Sequence, residues 1–77
     1  MKLINQPIKV MAIFHEDGKI EPIKFRLDDQ VIFVQNVINV HVEKALCPKY
    51  IFICQHNGNL YELKYVPETC TWYLFKK

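Results

Sequence analysis

The chain contains no serine, which removes serine-based nucleophilic catalysis, and threonine occurs only at Thr69 and Thr71. Its two glycines, Gly18 and Gly58, each sit in a turn sequence, so there is no glycine-rich loop whose backbone amides approach a phosphate closely. This argues against nucleotide hydrolysis. Cys47, Cys54 and Cys70 are odd in number and lack Cys-x-x-Cys spacing, which argues against a disulfide framework. Reduced thiols packed as small hydrophobes are the expectation. No window approaches the ~18 apolar residues of a membrane span, and Met1-Lys-Leu-Ile-Asn-Gln-Pro7 lacks the apolar run of a signal peptide. A cytoplasmic address without membrane contact is expected. Charge runs are missing too: ten Lys and Arg against eight Asp and Glu leave a net charge of +2, with the signs interspersed, too little to specify nucleic acid.

What the chain does have is apolar surface. It is 51% hydrophobic and 13% aromatic over 77 residues. That predicts a single domain over residues 1–77 with its ordered core at about 8–75, near the lower size limit for a core without staples. Turn signals divide it into six short strands. Asp17-Gly18 joins Ile8–Phe14 to Ile20–Leu27, and Asp28-Asp29 leads into Val31–Val42, a β-branched run long enough to need a bulge near Gln35-Asn36. A loop or single helical turn follows at Glu43-Lys-Ala-Leu-Cys-Pro48. Asn57-Gly58 then joins Tyr50–His56 to Asn59–Tyr65, and Pro67-Glu68-Thr69 precedes Cys70–Phe75. The expected fold is all-β: a six-stranded antiparallel meander forming a small SH3-like barrel or rolled sheet, with an OB-like barrel as the alternative.

Alternation of side chains assigns a core of Val10, Ala12, Phe14, Ile23, Phe25, Leu27, Ile32, Val34, Ile38, Val40, Ile51, Ile53, Tyr61, Leu63, Trp72 and Leu74. The opposite parity carries Met11, Ile13, Val31, Phe33, Val37, Tyr50, Phe52, Tyr65, Tyr73 and Phe75. That second set is unusually apolar for a wet face. Leaving Met11, Ile13, Phe33 and Phe52 exposed would forgo on the order of 6–12 kcal/mol, comparable with the stability of a whole domain.

Pro22-x-x-Phe25, Asp29-Gln30-x-Ile32-x-Val34-x-x-Val37, Gly58-x-x-Tyr61-Glu62-Leu63 and Trp72-Tyr73-Leu74 together give the chain a pattern over Ile8 to Phe75. It resembles a group of small bacterial β domains of unknown function, whose members carry Phe-x-Trp-x-Gly-Arg before the central strand and end in Trp-x-Leu. This chain has Leu27, Asp29 and Gln30 where the group has tryptophan, glycine and arginine. Some members are encoded near translesion DNA polymerases, so the resemblance implies a lean toward nucleic acid or repair proteins and assigns no functional residue.

Candidate chemistry is sparse. Cys54 and His56 share a parity about 6.5–7 Å apart along one strand, the nearest approach to a nucleophile and its base. Cys47, Cys54, His56 and Cys70 are weak candidates for zinc ligands, since only Cys54-x-His56 is closely spaced. His15 and His41 are expected to face solvent. The carboxylate pairs Glu16-Asp17 and Asp28-Asp29 belong to turns rather than to acid–base chemistry. No enzyme activity and no cofactor are expected. The favoured reading is a noncatalytic interaction module that binds a protein partner or a second copy of itself through Met11, Ile13, Phe33, Tyr50, Phe52, Tyr65 and Tyr73. Alternatives are a single-stranded nucleic-acid binder, stacking bases on Tyr50, Phe52, Tyr65 and Tyr73 beside Lys49, Lys64, Lys76 and Lys77, and a small zinc-binding domain.

Overall fold

In the computed structural model, which describes residues 1–44 and 46–77, the chain is all-β. The strands are β1 (Leu3–Ile8), β2 (Val10–Phe14), β3 (Ile20–Leu27), β4 (Gln30–Phe33), β5 (Asn36–Glu43), β6 (Lys49–His56), β7 (Asn59–Val66) and β8 (Thr71–Lys76). They form a five-stranded sheet in the order β1-β8-β7-β6-β5 and a three-stranded sheet in the order β2-β3-β4. Every pairing is antiparallel.

Eight strands replace the expected six for two reasons. The segment Leu3–Ile8, most of it ahead of the expected ordered core at about 8–75, pairs with β8. The long run Val31–Val42 breaks at Val34-Gln35, where the chain turns a corner from one sheet to the other. At that corner the Val34 amide donates to the Ile23 carbonyl of the small sheet, and the Gln35 amide donates to the Gln55 carbonyl of the large one. A second corner at Lys9 is tied by the Arg26 amide to the Lys9 carbonyl. The ladders therefore make two sheets rather than one rolled meander. Ala45, inside the expected loop Glu43 to Pro48, lies outside the described residues, and Glu43 itself belongs to β5.

The Asn57-Gly58 turn is the tightest constraint on packing. Both residues have positive φ, 48° and 78°, the geometry that a two-residue hairpin loop requires and that Asn-Gly supplies at low cost. With two loop residues the register follows directly: His56 faces Asn59, Cys54 faces Tyr61, Phe52 faces Leu63 and Tyr50 faces Tyr65. Residues directly opposite share a face of the sheet. The next ladder sets Leu63 against Leu74 and Tyr65 against Trp72. One face of the large sheet is thus Phe52, Cys54, Tyr61, Leu63, Tyr65, Trp72 and Leu74, and it packs on Phe25, Leu27 and Ile32 of the small sheet.

That register corrects the expected parity of β6. Phe52 and Tyr65, expected outside, are buried in the core, and Tyr50 packs half-buried against it. Ile51, expected in the core, is buried outside that cluster, on the opposite face of the sheet and across from Lys64. Tyr61 and Leu63 were correctly placed inside, and the two-residue turn then obliges Cys54 and Phe52 to join them. Three other expected core residues are exposed. Val40 is aligned with Phe52, but β5 is the last strand of the large sheet and the three-stranded sheet does not cover it. Ile38 is the unpaired residue where the β5–β6 register shifts. Phe14, at the end of β2, stays largely exposed while meeting the Tyr65 ring edge-on at 5.5 Å.

The aromatic side chains pack in the core as a Phe52–Trp72–Tyr65 row and a separate Phe25–Tyr61 pair. Tyr65 and Trp72 rings lie 4.7 Å apart, Phe52 and Trp72 5.5 Å, and Phe25 meets Tyr61 edge-on at 5.4 Å. Both edges of the large sheet are blunted. In β1 the ladder slips between Leu3 and Gln6, Asn5 has φ of 52°, and Pro7 withholds a donor. In β5 the ladder slips at Ile38, and the Asn39 side chain accepts the Val40 amide proton at 2.9 Å. Neither edge offers an uninterrupted row of free backbone groups.

The register yields a paired prediction for two phenylalanines. Phe52→Ala is expected to cost about 3–5 kcal/mol in urea unfolding, because Phe52 is 1% exposed. Phe33→Ala, removing a ring that is 54% exposed, is expected to cost less than about 1 kcal/mol. The reverse ranking would contradict the assigned register.

Candidate interaction surface

The outward face of the three-stranded sheet can be built row by row from its ladders. Met11 lies opposite Lys24, and Lys24 opposite Phe33. Arg26 lies opposite Val31 on β4, and its amide is bonded to Lys9 on the other side. One extra residue, Ile23, is accommodated in β3 where the β2–β3 register shifts, after which Ile13 faces Glu21. The result is two apolar rails, Met11 and Ile13 on β2 and Val31 and Phe33 on β4, with the charged residues Glu21, Lys24 and Arg26 running between them on β3. All four apolar side chains are exposed, from 47% at Ile13 to 56% at Met11. The Lys24 ammonium lies 5.5 Å from the centre of the Phe33 ring. Glu21 is engaged by His15, Nε2 to Oε1, at 2.9 Å.

Phe33 is held firmly despite its exposure. Its carbonyl accepts a hydrogen bond from His56 Nδ1 at 2.8 Å, and His56 Nε2 in turn accepts from Asn57 Nδ2 at 3.1 Å. The Asn57 amide donates to Gln35 Oε1 at 2.9 Å, and Gln35 Nε2 returns a bond to Asn57 Oδ1 at 3.1 Å. The sheet-to-sheet corner is thereby locked to the β6–β7 turn. A concavity of ≈ 480 Å³ opens on the outward face among Lys9, Met11, Lys24, Arg26 and Val31.

Of the seven residues expected to form one interaction surface, the structure brings together Met11, Ile13 and Phe33. Phe52 and Tyr65 are in the core. Tyr50 and Phe52 instead line a groove of ≈ 430 Å³ between β5 and the β2–β3 hairpin, with Ile20, Val37 and Val40. Tyr73 is half-buried on the outer face of the large sheet, and its ring is covered by Lys64 at 4.8 Å. The same ammonium sits 4.8 Å from the Phe75 ring and donates to Asn5 Oδ1 at 2.8 Å, clamping β1 and β8. Partial burial lowers the Lys64 pKa, and the Lys49 charge adds to the effect. Val31 was on the outward parity without being counted in the expected surface, and Lys9, Lys24 and Arg26 were missing from it. The signal for them was the Asp17-Gly18 hairpin, which pairs β2 with β3 and so places Lys24 beside Met11.

The four weak metal-ligand candidates do not converge. Cys54 is in the core, His56 spends Nδ1 on the Phe33 carbonyl, Cys47 is exposed beside Glu68, and Cys70 closes the β7–β8 turn at φ 53°. Among the described residues, no three His, Cys, Asp or Glu side chains stand close enough to hold a metal ion. Cys54 and His56 do not form a catalytic pair either. The Cys54 thiol points to the Phe52 carbonyl at 3.9 Å, and burial pushes its pKa up from 9.0 to about 12, the opposite of activation. The neighbouring Glu68 carboxylate raises the pKa of the Cys47 thiol as well.

No family model, curated protein or solved structure matches this chain. Among the described residues, no helix is long and apolar enough to cross a membrane.

The thiols give a direct chemical check. At pH 8 Cys47 and Cys70 are expected to react with Ellman's reagent in the folded protein, and Cys54 only after unfolding. The raised Cys54 pKa also has a sign in stability. In the unfolded chain this thiol loses its proton near pH 9, whereas in the fold it keeps it to about 12. Its contribution is therefore complete below pH 9 and is lost between pH 9 and about 12. Cys54→Ala is expected to lower stability at neutral pH while flattening that alkaline decline in urea titrations.

Proposed function

We propose that this domain is a noncatalytic interaction module that docks a protein partner over the outward face of its three-stranded sheet. The observation that carries this reading is the exposure of Met11, Ile13, Val31 and Phe33 as two rails on β2 and β4, which flank β3 in one hydrogen-bonded sheet. Scattered apolar residues on a surface need no explanation, but two pairs of large ones on one face of a rigid three-stranded platform suit an interface. The bonds from His56 to Phe33 and between Gln35 and Asn57 hold that platform in place before a partner arrives, which limits the ordering cost of association.

The corners at Lys9 and Val34-Gln35 support reading the two sheets as the halves of a small SH3-like roll. Three free thiols suit a reducing, cytoplasmic compartment. A second copy pairing through the large sheet is the less favoured occupant, because both edges of that sheet are interrupted. The nucleic-acid reading loses its stacking platform, since Phe52 and Tyr65 are enclosed and the Tyr73 ring is covered by Lys64. No observation on the molecule favours the zinc-binding alternative.

A photo-crosslinking phenylalanine analogue in place of Phe33, introduced in cells, tests the docking face. A discrete adduct with another protein is expected, and it should disappear when Met11→Lys is added. Adducts formed only from position 40 on β5, or none from position 33, would contradict the reading.

A further inference from the structure

We propose that the partner segment docked over the three-stranded sheet is acidic as well as apolar, with carboxylates two residues apart in an extended stretch. The inference rests on the docking reading above and adds the chemistry of the occupant. Between the two apolar rails stand Lys24 and Arg26, with Lys9 beside Arg26. Among the described residues the one close contact between a nitrogen base and a carboxylate is His15 with Glu21, so none of these three cations has a carboxylate of its own chain within pairing distance. No carboxylate lines the concavity they share with Met11 and Val31.

Desolvation decides the chemistry of the occupant. A partner that covers Met11 on one side and Phe33 on the other must also cover Lys24, which lies directly between them in the same row. Two cations enclosed by a purely apolar surface would be left uncompensated, and breaking water contacts without replacing them is strongly unfavourable. Carboxylates on the partner remove that cost and make the contact directional. Their spacing follows from the strand: Lys24 and Arg26 are two residues apart on one face, about 6.5–7 Å, which is the repeat of alternate residues in an extended segment. Glu21 on β3 and Asp28 in the turn after it flank the two cations in sequence, Glu21 already held by His15 and Asp28 lining a separate hollow with Lys9 and Arg26.

A nucleic acid also carries regular negative charge, but Phe33 is the one aromatic ring on the rails, and Lys24 already lies over it. Stacked recognition of single strands uses several rings. A peptide with acidic and aliphatic side chains fits both rails and spine.

Short fluorescein-labelled peptides of leucine, valine and glutamate test the idea, beside matched peptides with glutamine or lysine in place of glutamate and an oligodeoxythymidine. Amide chemical shifts would locate each contact. The glutamate peptide is expected to bind over β2–β4, to weaken with added salt, and to lose about tenfold in affinity or more with the Lys24→Glu and Arg26→Glu pair. That charge-reversed variant should instead bind the lysine peptide, a gain that misfolding cannot produce. Equal binding of the glutamine peptide at the same face would overturn the acidic partner while leaving the docking face intact. Tighter binding of the oligonucleotide there would replace the peptide with a nucleic acid. Shifts confined to β5 and the groove beneath it, or no binding by any peptide, would overturn the docking face itself.

Discussion

The two-residue turn at Asn57-Gly58 decides the rest of the structure. Its paired positive φ values leave no freedom in how β6 returns as β7, so Phe52 must stand beside Leu63 and Cys54 beside Tyr61. Through the next ladder the same register brings in Leu74 and Trp72. A slip of one residue would turn all of these outward together. The turn does a second job, because Asn57 and its neighbour His56 bind Gln35 and the Phe33 carbonyl at the corner where the chain changes sheets. One local conformation thus fixes the core of the large sheet and the position of the small one.

From this follows a division of the chain's large apolar content. The register draws Phe52, Tyr65 and Cys54 into the core, where the aromatic row stabilises a domain close to the lower size limit. It leaves Met11, Ile13, Val31 and Phe33 outside on the small sheet, with Lys24 and Arg26 between them. The apolar residues of the first set are explained by folding. Those of the second set contribute little to the fold and stand exposed on its surface. Lys64 offers a contrast on the other sheet, where its stem and ammonium lie over Tyr73 and Phe75 and leave those rings already covered.

Much of this was legible in the sequence, and the failures have identifiable causes. The all-β class, the Asp17-Gly18 and Asn57-Gly58 turns, and the inward placement of Phe25, Leu27, Ile32, Leu63, Trp72 and Leu74 follow from alternation and turn chemistry alone. β6 defeated alternation because Tyr50 through Cys54 is apolar at every position, so parity there is readable only through the turn's register. β1 was missed because its pairing with β8 lies at the far end of the chain and its residues are exposed. The long run Val31–Val42 gave its break roughly at the right place, near Gln35, but nothing local distinguishes a bulge within one sheet from a corner between two. For the surface, Met11, Ile13 and Phe33 were identifiable by parity. Lys24 and Arg26 became visible only once the ladders set them between those residues.

The most direct test is a set of side-chain nuclear Overhauser contacts in solution for Phe52 and Phe33. The account predicts strong long-range contacts from the Phe52 ring to Leu63 and Trp72, and from the Phe33 ring little beyond Lys24 and its own strand. Contacts that enclose Phe33 while leaving Phe52 without long-range partners would contradict it, and the division between core and proposed docking face would fall together.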